Sequence, residues 1–233
     1  MDSSNVSFFG VPVAEQGADE IASVWGSAAA DLRMLIFADR MLAWRMARSR
    51  PFRRFLGETG SRMVPNGSGI RRQVRVATGH RPEAVVEFQA VIRIMAHAEQ
   101  DGGTIYLLGR SPEQLQHMEQ NVRATFPELR VVGRAVFHPS RGASIATAIR
   151  KASPRLVFVG TDARRPLAWV HEHVEELGPV TVLVAFRAAQ RMAGRARAPR
   201  PAAWAALPLR PFIWPVLLGH RLRVRRRRKK RRV

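Results

Sequence analysis

The stretch "TIYLLGRSPEQLQHMEQNVRATFPELRVVGRAVF", residues 104–137, decides the fold class. It opens on a continuous apolar run, Thr104 to Gly109, with no polar alternation. Such a run reads as a strand covered on both faces. Ser111 follows, with Pro112 and Glu113 after it and Gln114 three residues on, which is a capping-box pattern for a helix reaching about Thr125. "LRVVGRAVF" (129–137) is then a second strand. Strand, helix, strand in this spacing is one βαβ unit, and parallel strands need such a crossover.

Outward from this unit the pattern repeats. "VSFFGVPV" (6–13) reads as a strand or β-arm, and 18–30 as a helix with Ile21, Val24 and Trp25 on one side. "RMLIFA" (33–38) is a buried strand, and 40–56 reads as one basic helix. "MVPNGSGI" (63–70) ends a strand in an Asn-Gly turn, because Asn and Gly tolerate positive φ. "RRQVRVATGH" (71–80) gives only a weak signal, and 83–99 reads as a helix. Helices over 140–152 and 165–177 alternate with strands "RLVFVG" (155–160) and "VTVLVAF" (180–186). The expectation is an α/β fold: a doubly wound, mostly parallel, Rossmann-like sheet with helices on both faces, plus a basic C-terminal appendage.

Composition fits one such domain spanning 1–186. The chain has 233 residues, is 46% hydrophobic and has no cysteine. It can therefore build a sizeable core, while disulfides and Cys-ligated zinc are excluded. No acidic cluster suggests a metal, and His171 and His173, two apart on a helix, point to different faces. Trp169 has the spacing of a core residue. The start lacks a signal-peptide pattern, and no run approaches the ~18 apolar residues of a spanning helix. A reducing, cytoplasmic setting fits.

Charge is placed unevenly. Of a net +21, sixteen basic residues with no acidic one lie from Arg187 onward, in an Ala/Arg/Pro-rich appendage over 187–233. Within it, 211–218 is apolar with Trp214, and 221–232 is a polybasic tail that includes Arg221 and Arg223. Such a tail can meet nucleic acid phosphates, coat an anionic membrane, or stay solvated. The aromatic-apolar segment before it favours the membrane, as two weak anchors act together. The body carries no zinc-finger or RRM signature, so nucleic acid is the lesser expectation.

In an open parallel sheet a ligand sits beyond the C-terminal strand ends. The side chains there are Asp39, Asn66, Gly109 with Arg110 and Ser111, His138, Gly160 with Thr161 and Asp162, and Arg187. "LLGRSPEQL" could offer backbone N–H groups to a phosphate, or could merely turn and cap. Neither a G-x-G-x-x-G nor a P-loop pattern is present.

The order of these segments resembles the bacterial WecG/TagA/CpsF glycosyltransferases over about residues 8–215. "GGTIYLLGRSPEQLQHMEQNVRATFPELRVVGRAVF" looks like that family's strand, "LLGG" loop, helix and following strand. "SPRLVFVGTDARRPLAWV" is similar to its "VGlG-PkQE-W" stretch, "AGRARAP" to its "AG-RAP" motif, and "FGVPVAEQGADEIASV" to its opening. "PNGSGI" stands where members carry "pDGiGv".

The resemblance implies transfer of N-acetylmannosamine or a related sugar from a UDP donor to a polyprenyl-diphosphate-linked acceptor, with no cofactor beyond the UDP-sugar substrate. It implies catalytic work near Asp39, Asn66, His80 and Asp162. Phosphate contacts fall to Gly109, Arg110, Ser111, Gly160, Thr161, Arg164 and Arg165, and membrane or acceptor contacts to Trp214, Arg221 and Arg223. It implies a peripheral position on the inner face of the cytoplasmic membrane.

Several motif positions differ. The aspartate of "pDG", a general base by resemblance, is Asn66 here. The aspartate of "GsD" falls at His80, "PkQE" becomes Arg164 to Leu167, and "TpN" becomes Phe37-Ala38-Asp39. A neutral amide cannot accept the proton of an attacking hydroxyl. Two readings follow: an active transferase whose base is Asp39, His80 or Asp162, or a membrane-bound binding or scaffold protein that keeps the fold alone.

Overall fold

A computed structural model describes residues 6–14, 17–27, 30–161 and 164–194. The appendage from residue 195 on, with Trp214, Arg221 and Arg223, and the candidate acid Asp162 lie outside the described residues.

The chain opens with a two-stranded antiparallel arm, β1 (Ser7–Phe8) and β2 (Val11–Pro12), then α1 (Ala18–Gly26). Next come β3 (Arg33–Ala38), α2 (Arg40–Arg48), α3 (Arg50–Glu58), β4 (Arg62–Pro65), α4 (Ser68–Thr78) and α5 (Glu87–Gln100). β5 (Thr104–Gly109), α6 (Pro112–Thr125) and β6 (Arg130–Val136) form the central βαβ unit. After it come a short 3-10 turn, α7 (Gly142–Ala152), β7 (Leu156–Val159), α8 (Arg164–Glu172), α9 (Val174–Leu177), β8 (Thr181–Val184) and α10 (Phe186–Met192).

Six strands make one all-parallel sheet in the order β4-β3-β8-β7-β5-β6. β5, β7 and β8 are buried along almost their whole length, as their unalternated runs require. β6 lies at the sheet edge and alternates exposed with half-buried positions. One core layer packs α2, α3, α4, α7, α8 and α9 against the sheet, and the other packs α1, α5, α6 and α10. The fold is therefore the expected doubly wound α/β sheet. α10 continues the same packed body, burying Ala188, Ala189 and Met192. Trp169 is core, and its ring N–H donates to the Gly142 carbonyl at 3.0 Å.

Five segments differ from the sequence reading. The helix expected over 18–30 ends at Gly26, and Val24, read on one side with the buried Ile21 and Trp25, is 43% exposed. The single helix expected over 40–56 is two, because Pro51 supplies no N–H and restrains the residue before it. Ser49 serves both helices: its N–H donates to the Arg45 carbonyl at 2.9 Å and its Oγ accepts from the Phe52 N–H at 3.3 Å. The weak stretch 71–80 is mostly helix, α4, whose buried Ile70, Val74 and Ala77 follow the i, i+4, i+7 spacing. The helix expected from 83 begins at Glu87, after an irregular segment holding Pro82. The helix expected over 165–177 breaks at His173 into α8 and α9.

Candidate active site

At one end of the sheet, three distant parts of the chain meet. Beyond β3, Asp39 caps α2, its Oδ1 accepting from the Leu42 N–H at 2.9 Å. Beyond β4, the Asn66 N–H donates to the Ala38 carbonyl at 2.8 Å, carrying the ladder one residue past the strand. Gly67, at φ +99°, then turns the chain into α4, and this is the Asn-Gly turn legible in the sequence. Beyond β8, α10 begins. Neighbouring strands β3 and β8 send their next helices, α2 and α10, to opposite faces. That divergence opens the crevice in which sheets of this topology bind ligands.

Beside these strand ends lies a buried carboxylate that the sequence reading passed over. Glu87, the first residue of α5, is only 5% exposed. Its Oε2 accepts from the Asn66 side-chain amide, and its Oε1 accepts from the Ala188 N–H at 2.9 Å. Burial raises its pKa above the ordinary carboxylate value, and nearby Asp39 adds to that. Backbone hydrogen bonds from Ala188 and Arg187 and the Arg187 charge oppose the rise without cancelling it. A sequence signal existed: Glu87 starts the stripe 87, 90, 91, 94, 95, 98 that α5 buries. A lone carboxylate on an otherwise apolar helix face needs partners.

The other expected residues are distributed as follows. Asp39 and Asn66 come together, with Glu87 between Asn66 and α10. His80 does not join them. It follows the eleven-residue α4, whose Gly79 cap at φ +81° is about 16 Å of helix rise away from Asn66. Gly109, Arg110, Ser111, Gly160 and Thr161 do lie together beyond β5 and β7. Ser111 Oγ accepts from the Gln114 N–H at 3.3 Å, as the capping pattern predicts. The returning bond differs from a capping box: Gln114 Oε1 accepts from the Arg110 N–H at 2.8 Å, one residue further back. Gln114 Nε2 donates to the Gly160 carbonyl at 3.0 Å, so this buried amide bolts the β5 loop to the β7 loop. Two of the backbone N–H groups that could have met a phosphate are thus already committed, and turning and capping is the use this loop shows. The Arg110 guanidinium instead leans over the Phe186 ring, 5.5 Å from its centroid, toward the start of α10. Arg164 and Arg165 open α8.

Gly160 has no room for a side chain. A Cβ there would lie 2.8 Å from the Ala189 Cβ and 3.3 Å from both the Leu108 carbonyl oxygen and the Met118 Cε. Gly160→Ala is expected to destabilise by about 1–3 kcal/mol through overpacking. Thermal unfolding checks this, and an unchanged midpoint would show that α6 and α10 can give way.

A six-stranded all-parallel sheet with helices on both faces and polar residues gathered at its C-terminal strand ends defines an α/β protein of the doubly wound class. The family model for the WecG/TagA/CpsF glycosyl transferases matches residues 6–207. The chain belongs to that family and is, at that level, a glycosyl transferase. No curated protein matches the chain. Among the described residues no helix is long and apolar enough to cross a membrane, and no His, Cys, Asp and Glu group is placed to hold a metal.

Proposed function

We propose that the protein transfers N-acetylmannosamine or a related sugar from a UDP donor to a polyprenyl-diphosphate-linked acceptor, as a step in cell-envelope polysaccharide synthesis. The observation that carries this reading is Glu87, held between Asn66 and the start of α10 beside the C-terminal strand ends. The acceptor hydroxyl oxygen attacks the anomeric carbon, the bond from that carbon to the β-phosphate oxygen breaks, and UDP leaves. The hydroxyl proton passes to Glu87. A carboxylate oxygen accepting one hydrogen bond keeps a lone-pair site for a second donor, so Asn66 orients Glu87 without consuming it. Burial makes Glu87 a stronger base than an ordinary carboxylate, which suits a sugar hydroxyl. Asp39 stays a helix cap. Arg110, with Arg164 and Arg165, offsets the diphosphate charge that develops as UDP departs. Trp214, Arg221 and Arg223 hold the appendage at the inner face of the cytoplasmic membrane, where the lipid-linked acceptor is found.

A second reading, a binding protein that keeps the fold without turnover, draws on the Asn66 amide itself, which cannot act as a base. Purified protein supplied with a UDP-N-acetylhexosamine and a polyprenyl-diphosphate-linked acceptor separates the two. Acceptor-dependent release of UDP is expected. Tight UDP binding with no release over the uncatalysed background selects the second reading.

A further inference from the structure

We propose that the outer surface of α2, α3 and α4 is a docking face for an anionic lipid bilayer, built into the body and separate from the C-terminal tail. Together these three helices carry nine arginines and one acidic residue, Glu58, a net of +8. The helices of the opposite layer, α1, α5, α6 and α10, carry four arginines and six carboxylates, a net of −2. The molecule is thus polarised across its sheet, a distribution that concerns a partner and not the fold.

The positive charges are presented outward. Arg48 ends α2, Arg50 and Arg54 lie one turn apart on α3, and Arg72 and Arg75 one turn apart on α4, and all five are exposed. Arg54 is paired with Glu58 at 2.7 Å. The Arg48 guanidinium lies 4.7 Å from the ring centroid of half-buried Trp44, and Arg45 lies over Phe52 at 4.5 Å. Half-buried Trp44 stands beside exposed Arg48 on this face, and Trp is enriched at membrane interfaces. Every basic group here is arginine, whose planar fork grips phosphate oxygens two at a time.

Position supports the same partner. α2 and α4 both start at the crevice, at Asp39 and just after Asn66. A bilayer seated on these helices would lie beside the crevice mouth, where a ligand anchored in lipid could enter without leaving the membrane. The inference does not rest on the transferase reading, because bilayer contact is measured without donor or acceptor.

The chain has no native cysteine, so single labels report position cleanly. Full-length Glu58→Cys (on α3) and Gln116→Cys (on α6) are each labelled with a fluorophore. They are mixed with vesicles of equal parts phosphatidylglycerol and phosphatidylethanolamine that carry a quencher lipid. Quenching at 58 and little at 116 is expected. A second variant, Arg48→Gln with Arg50→Gln, Arg72→Gln and Arg75→Gln, is expected to bind these vesicles at least tenfold more weakly. Its far-UV circular dichroism should be unchanged, since all four side chains are exposed. Vesicle binding with equal quenching at both labels, or with none at 58, overturns the proposal and leaves the tail as the sole contact. So does a fourfold-substituted protein that loses affinity for a single-stranded RNA oligonucleotide but not for vesicles.

Discussion

Glu87→Gln is expected to lower acceptor-dependent UDP release by about 10²–10⁴-fold, the range that a positioned general base supplies. The variant should still fold. Its amide oxygen can accept from the Ala188 N–H, and Asn66 can turn its own carbonyl oxygen toward the new amide group, so neither partner loses a hydrogen bond. Activity and stability therefore separate. The pH dependence gives a second readout. The wild-type carboxyl has a folded-state pKa raised above its unfolded value by burial. The folded state then holds the Glu87 proton longer than the unfolded chain does. Stability from this group declines as pH rises from the ordinary glutamate value toward the raised one, and stays lower above it. In Glu87→Gln that decline should vanish from denaturant unfolding measured across the same window. In wild type, kcat/KM should fall on acidification at a pH above the ordinary glutamate value, because a base must be unprotonated to act. Unchanged turnover in the variant would remove Glu87 from the reaction.

Asn66→Asp has the next largest expected effect, and the structure changes what it would test. By resemblance alone the exchange restores a family carboxylate. In this molecule the new carboxylate would face Glu87 Oε2 in place of the amide that now donates to it. Two carboxylates at hydrogen-bond distance cannot both ionise without cost, so they share one proton and one pKa rises strongly. At neutral pH the loss of a donor and the added repulsion should destabilise by about 2–4 kcal/mol. On acidification the pair takes up its shared proton and most of that loss should return, so the thermal midpoint should fall more steeply with rising pH than in wild type. Equal midpoints for wild type and Asn66→Asp across this range would mean that the two side chains do not meet.

Much of the scaffold was readable because its signals are local. Continuous runs such as Thr104–Gly109 and Leu156–Val159 can be strands only if both faces are covered, and both are. Ser111 and the Asn66-Gly67 turn act through atoms within three residues. α4 was obscured because arginines interrupt its apolar positions, so its period shows only once Ile70 and Ala77 are counted with Val74. The centre of the site was hidden for a different reason. Glu87 meets Asn66 across 21 residues and Ala188 across 101, and no local pattern encodes such a meeting. His80, one of three candidates for the base, falls where a short family motif carries an aspartate, and it trails α4 while Glu87 heads α5. Seven residues of chain order separate His80, at the far end of α4, from Glu87, bonded to Asn66.

The pairing of β3 with β8 has a consequence for how the molecule is made. β3, the first strand of the sheet, is flanked by β4 and by β8, the last strand to be synthesised, with Arg33 opposite Thr181. During translation β3 must therefore wait with one edge open for nearly the whole length of the body, since N-terminal segments emerge first. Closure across so long a loop is slow, as non-local pairing repays its entropy only at the end. Ala188, just beyond β8, reaches Glu87 only once this last part of the body has been made, so the polar centre cannot be complete before then. A nascent chain stalled before residue 181 would hold Asn66 and Glu87 without the backbone N–H that completes them, however well its first strands had formed.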